Sequence, residues 1–235
     1  MSEIVINIRK DLKKSSDKKT KESSKRFFKE EVLVYGVKSA IVSEISKKYF
    51  KDIKELNKKE LFLICEELLK SNYCEEAYIV SNWLPKRLEL FEKKDIKIFK
   101  KWIDLYINNW AKCDSFCNHT IGDLLEKYPE LITEIKSWSK SKNKWLKRAS
   151  AVSLIVPARH GKYLKEVFEI SDVLLLDTED MVLKGYGWLL KEASRKHQKE
   201  VLSYVLKHKK IMPRTSLRYA IELMPEDLRQ NAMKK

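Results

Sequence analysis

The feature that most restricts what this chain can fold into is a recurrence. EEAYIV around Glu76, CDSF at Cys113, LKRASA at Lys147, LKGYGW at Lys184 and LRYAIE at Arg218 return at intervals of about 34–37 residues. Each opens an amphipathic helical stretch after a short turn, and almost no segment alternates polar and apolar residues with period two. A repeat of that length in a helical chain specifies stacked helix pairs, because one pair alone cannot bury its apolar face. The Trp, Gly and Tyr positions of a tetratricopeptide repeat are missing, so HEAT-like pairs fit better. The expected fold is all-α, a HEAT-like helical-repeat solenoid: a curved α-α superhelix with a concave face, residues 1–235 forming a single domain.

Local signals fill in the helices. SEIVINIRKDLKKSS sets Ile4, Ile8 and Leu12 at helical spacing, and SKRFFKEEVLVYGVK reads as a second helical region ending near Gly36. SAIVSEISKKYFKDI reads as a third. Asn57 and Glu60 have the spacing of a capping box. KKDIKIFKKWIDLYINNW reads as one helix reaching Trp110, with the next helical region expected over SFCNHTIGDLLEKYPELITEIKSWSKS. Five Gly and five Pro are too few for a β-sandwich or for an α/β enzyme built on glycine loops. The glycines, at 36, 122, 161, 185 and 187, form no phosphate-binding loop, and no G-x-S-x-G is present.

Charge says what such a surface would meet. The net charge is +15, unevenly placed: residues 1–30 carry 10 basic and 5 acidic groups, residues 31–137 carry 18 of each, and residues 138–235 carry 21 and 11. A neutral middle with basic ends suits a polyanion, most simply nucleic acid. Four cysteines, Cys65, Cys74, Cys113 and Cys117, do not make a disulfide framework at this length and fit a reducing cytoplasm. Cys113, Cys117 and His119 match no common zinc spacing and lack a fourth ligand, so no metal is expected. His160, His197 and His208 stand among lysines and read as surface residues. No signal peptide and no membrane span is read.

Two stretches bear on chemistry. In NNWAKCDSFC, Trp110 and Asp114 stand one helical turn apart. Asp114 reads either as the cap of a helix starting at Ser115 or as an anion beside an aromatic face. In KSKNKWLKR, residues 140–148, five basic groups occur without an acid, a pattern suited to tracking a phosphate backbone or to a solvated helix face. HKKIMPRTSLR likewise offers Lys209, Lys210, Arg214 and Arg218 without an acid. Asp177 to Asp180, DTED, reads as a helix start. Gly185 and Gly187 inside a helical pattern imply close approach of the backbone to something.

From Trp102 to Ile221 the chain resembles the DNA alkylation repair family of HEAT-like-repeat glycosylases. The pieces that carry the resemblance are WAKCD, EKYPELI, NKWLKRA, LKGYGWLLKE and MPRTSLRYAI, in that order. Nearer the N-terminus it rests on helical pattern and on VYGV at Val34–Val37; where the family often continues with proline, this chain has Ser39 and Ala40. The resemblance implies a concave DNA-binding face and a working cleft in which Trp110, Asp114 and Trp188 act on the substrate and Arg148 holds a backbone phosphate. Lys144, Lys147, Lys184, Arg214 and Arg218 are the further DNA-contact candidates. It also implies a cofactor-free, monomeric enzyme of the cytoplasm, associated with the nucleoid through DNA. Such an enzyme hydrolyses the N-glycosidic bond of 3-methyladenine and 7-methylguanine in double-stranded DNA for base excision repair. Two alternatives stand beside it: a weakly cleaving relative that binds branched DNA, and a protein-binding scaffold.

Overall fold

The computed structural model describes residues 2–234, and among them helix follows helix with no strand. An isolated parallel bridge joins Leu33 to Tyr73. The chain divides into two compact units, Met1–Phe116 and Cys117–Lys235.

The first unit contains α1 (Glu3–Lys14), α2 (Lys18–Lys25), α3 (Ser39–Ile53), α4 (Lys58–Lys70), α5 (Cys74–Trp83), α6 (Ile96–Tyr106) and α7 (Trp110–Phe116). Its helices form two layers: α3, α5 and α7 pack in succession, while α1 and α4 lie against them and α6 against α4. The capping box expected at Asn57 and Glu60 opens α4 in full. A cluster of rings, Phe62, Phe91, Phe99, Trp102 and Phe116, meets largely edge to face, the arrangement the ring quadrupoles prefer.

The second unit starts with a π-helical turn, Cys117–Ile121. It continues through α8 (Gly122–Lys127), α9 (Ile132–Ser137), α10 (Lys144–Val152), α11 (Ile155–Arg159), α12 (Leu164–Leu174), α13 (Asp180–Ala193), α14 (Gln198–His208), α15 (Arg214–Ala220) and α16 (Glu226–Met233). Here α10, α13 and α15 form one layer and α9, α12, α14 and α16 the other. The recurring segments of the sequence fall in α5, α7, α10, α13 and α15, one layer within each unit. Side-chain bonds between successive repeats keep the period: Trp83 to the Ser46 carbonyl spans 37 residues, Arg87 to Ile53 spans 34 and Ser216 to Leu183 spans 33.

The two helical glycines serve this packing. A Cβ at Gly185 would meet Arg148 Cγ at 3.3 Å, and one at Gly187 would meet Tyr219 Cβ at 2.8 Å and the Ser216 carbonyl oxygen at 3.0 Å. Helix α13 therefore lies wedged between α10 and α15, and the close approach is to neighbouring helices.

Three sequence-based boundaries need correction. Residues 28–38 are not helical: helix α2 ends at Lys25. The following segment is captured by a distant carboxylate, with Glu75 accepting from the backbone N–H of Tyr35, Gly36 and Val37 at 3.1, 2.9 and 3.2 Å. Gly36 supplies the left-handed conformation the turn needs, at φ 90°. Helix α6 stops at Tyr106 rather than reaching Trp110, and the next helix begins at Trp110 rather than at Ser115. His208 is packed rather than freely solvated, its ring 4.5 Å from that of Tyr204.

Candidate nucleic-acid site

Helix α7 answers what Asp114 is. The side chain of Asn109, fully buried, accepts from the backbone N–H of Lys112 at 3.0 Å, so Asn109 is the cap. Asp114 is then a half-buried residue inside the helix, one turn beyond Trp110 and on the same face. It does not cap a helix. The Trp110 indole is half-buried, stacked against Phe28 with ring centroids 5.6 Å apart and planes at 28°. Its N–H points to the carbonyl of Phe27 at 3.4 Å. Phe27 itself is 72% exposed.

Lys112 fixes this helix from its other side. It is buried, and its ammonium donates to the Asn72 carbonyl and Oδ1 at 2.7 and 2.6 Å and to Asn108 Oδ1 at 3.0 Å. Burial holds its pKa below the ordinary lysine value. Asn72 adopts φ 65°, a left-handed conformation asparagine tolerates.

In the second unit, Trp188 is half-buried on α13 and donates its indole N–H to Glu192 Oε1 at 3.2 Å. Glu192 is buried, and its Oε2 accepts from Arg159 Nε at 2.8 Å and Arg195 Nε at 2.7 Å. Burial pushes the carboxyl pKa up, but hydrogen bonds from the two guanidinium groups outweigh it and leave it below the usual value. Arg148 on α10 is buried against Gly185, with a guanidinium nitrogen donating to the Met181 carbonyl.

Lys144 and Lys147 of the basic run, and Lys184 on α13, have carboxylate partners outside that run. Lys144 pairs with Glu179 at 3.5 Å, Lys147 with Asp177, and Lys184 with Asp180 at 3.0 Å. The DTED segment does begin a helix, α13, and it also balances charge on α10. Arg214 is exposed and donates to the Met233 carbonyl at 3.1 Å; Arg218 is exposed on the same helix. Cys113 and Cys117 are fully buried thiols whereas the His119 side chain is 62% exposed and faces Asp123, so these three do not form a ligand set. Among the described residues no helix is long and apolar enough to cross a membrane.

Sequence reasoning passed over Phe28, Lys112, Arg159, Glu192 and Arg195. Glu192 was within reach, since it follows Trp188 by one helical turn and precedes Arg195 by three residues. Arg159 lies 33 residues before Glu192, one repeat away.

Comparison with known proteins agrees with this architecture. The family model described as DNA alkylation repair enzyme matches residues 8–224. A solved structure described as a predicted DNA alkylation repair enzyme from Enterococcus faecalis superposes with a TM-score of 0.81. It is 14% identical, with 90% of this chain and 98% of that one covered. No curated protein matches the chain.

Proposed function

This chain belongs to the DNA alkylation repair enzyme family, and we propose that it acts within it as a monofunctional DNA glycosylase for positively charged N3- and N7-alkylated purines. Alkylation at those positions leaves the base cationic and its glycosidic bond weak. The bond breaks with its electron pair passing to the purine, which departs neutral and needs little acid catalysis. Water then bonds to C1′ and gives up a proton. The charge to be stabilised is the oxocarbenium character on the deoxyribose, and a carboxylate is the group suited to that task. The reading gives Asp114 this role. Indole faces attract a cationic nucleotide through the ring quadrupole, by about 0.5–2 kcal/mol each, which is the role given to Trp110 and Trp188. Arg148, Lys144, Lys147, Lys184, Arg214 and Arg218 remain the proposed contacts to double-stranded DNA, with HEAT-like repeats as the scaffold. No metal or cofactor enters the scheme.

The observation that carries this reading is the pair on α7. Trp110 and Asp114 share a helix face, and because Asn109 is the cap, helix capping does not account for Asp114. The direct test is incubation of the purified protein with randomly methylated duplex. Release of free 3-methyladenine and 7-methylguanine supports it. Tight duplex binding with no release replaces it with a non-cleaving binder of unusual DNA structure.

A further inference from the structure

We infer that Arg159 and Arg195, held together on Glu192, form a seat for one phosphodiester of duplex DNA beside Trp188. The inference rests on the proposed function only in taking DNA as the ligand. A guanidinium has five N–H donors in a planar fork, and each of these two spends its Nε on the same oxygen, Glu192 Oε2, at 2.8 and 2.7 Å. Among the described residues neither makes another hydrogen bond, and each side chain is 45% exposed. Their terminal amino groups are therefore free to bind an anion. Glu192 is already occupied by three N–H groups: two guanidinium and one indole. Two cations share one anion, so the cluster keeps a net positive charge. That differs from Lys144, Lys147 and Lys184, each facing its own carboxylate. A second anion placed between the outward amino groups would balance the cluster, and phosphate oxygens match their fork geometry.

The surrounding backbone holds the pair in place. Arg159 ends α11 and Arg195 follows the end of α13. The two turns pack together, with a His197 ring nitrogen 3.0 Å from the Gly161 carbonyl and a Cβ at Gly161 only 3.4 Å from Lys196. Exposed Lys196 adds to the positive charge there. Because Trp188 donates to the same carboxylate, a phosphate seated on the arginines would fix the backbone relative to the indole.

The experiment is equilibrium binding of an undamaged duplex as a function of salt. It compares wild type, Arg159→Gln/Arg195→Gln, and Arg159→Lys/Arg195→Lys. Loss of one phosphate contact makes the slope of log K against log salt shallower by about 0.9. The glutamine variant is expected to show that change, with about tenfold weaker binding at physiological salt. In the lysine variant each single ammonium pairs with Glu192, which preserves the fold and the net charge but removes the fork. It is expected to bind about threefold more weakly than wild type. Lysine and wild-type proteins binding alike would overturn the seat, leaving only diffuse charge. An unchanged slope in the glutamine variant would overturn it as well. Both failures leave DNA binding by the wild type intact, whereas absence of salt-dependent duplex binding by the wild type removes the proposed function too.

Discussion

On α7, Trp110 leans on the ring of Phe28, and the helix is pinned by an ammonium, Lys112, bonded to three neutral oxygens. On α13, Trp188 donates to a carboxylate that two guanidinium groups hold in place. The first anchoring relies on stacking and on a charge whose burial is costly, the second on ions that screen one another. Both helices present a half-buried indole, yet they should answer differently to truncation and to pH.

The largest difference should follow loss of the α13 anchor. Glu192→Ala leaves two arginines and an indole without their shared acceptor, and hydrogen bonds to a charged group contribute about 1.5–3 kcal/mol each. Thermal unfolding measures the cost, and selection of alkylated over undamaged duplex should fall with it as Trp188 loosens. A loss confined to stability, with lesion selection intact, would break the link between Glu192 and Trp188. On α7, Lys112→Met fills the same space without the charge but leaves the oxygens of Asn72 and Asn108 unpartnered. Its expected cost is smaller, about 1–3 kcal/mol, partly offset because a buried ammonium no longer has to be desolvated. If the two variants lose equal stability, the contrast between the anchors fails.

Gly187→Ala sharpens the account of α13 alone. The added methyl would stand 2.8 Å from Tyr219 Cβ, so α13 and α15 must separate, at about 1–2 kcal/mol. Urea unfolding of this variant beside Gly185→Ala, whose methyl meets the side chain of Arg148, should show the larger loss at Gly187.

The smallest effect is in pH dependence. Because the folded pKa of Glu192 is lowered, its contribution to stability is full above the unfolded carboxyl value near ~4.3. That contribution is lost as pH falls through the folded value. Glu192→Gln should flatten the acid limb of the stability curve below that point. Lys112 runs the other way. Its folded pKa is lowered, so the cost of its charge persists at low pH and is relieved as pH rises toward the unfolded lysine value. Lys112→Met should therefore flatten a rise in stability on the alkaline side, before tyrosines whose pKa is raised in the fold, such as Tyr186 at about 12, begin to oppose it.

What the sequence made legible was periodic. The spacing from Glu76 to Arg218 located one layer of helices within each unit, and local codes such as the Asn57–Glu60 box survived intact because they depend on four residues only. The loop before α3 was illegible for the opposite reason. Its shape is imposed by Glu75, about forty residues away, and nothing within VLVYGV announces that capture. The partners of the basic run were illegible in the same way: Lys144 and Lys147 find their carboxylates 35 and 30 residues later, in the turn that leads into the neighbouring helix. Trp110 and Asp114 were legible as a pair, but only the backbone showed that the cap lies at Asn109.

The measurement closest to the central claim compares base release and duplex affinity for wild type and Asp114→Asn. The amide keeps the shape of the side chain while removing the charge assigned to the developing oxocarbenium ion. The account predicts retained DNA binding with release of 3-methyladenine and 7-methylguanine slowed by about 10²–10³. Equal release rates from the two proteins would contradict it.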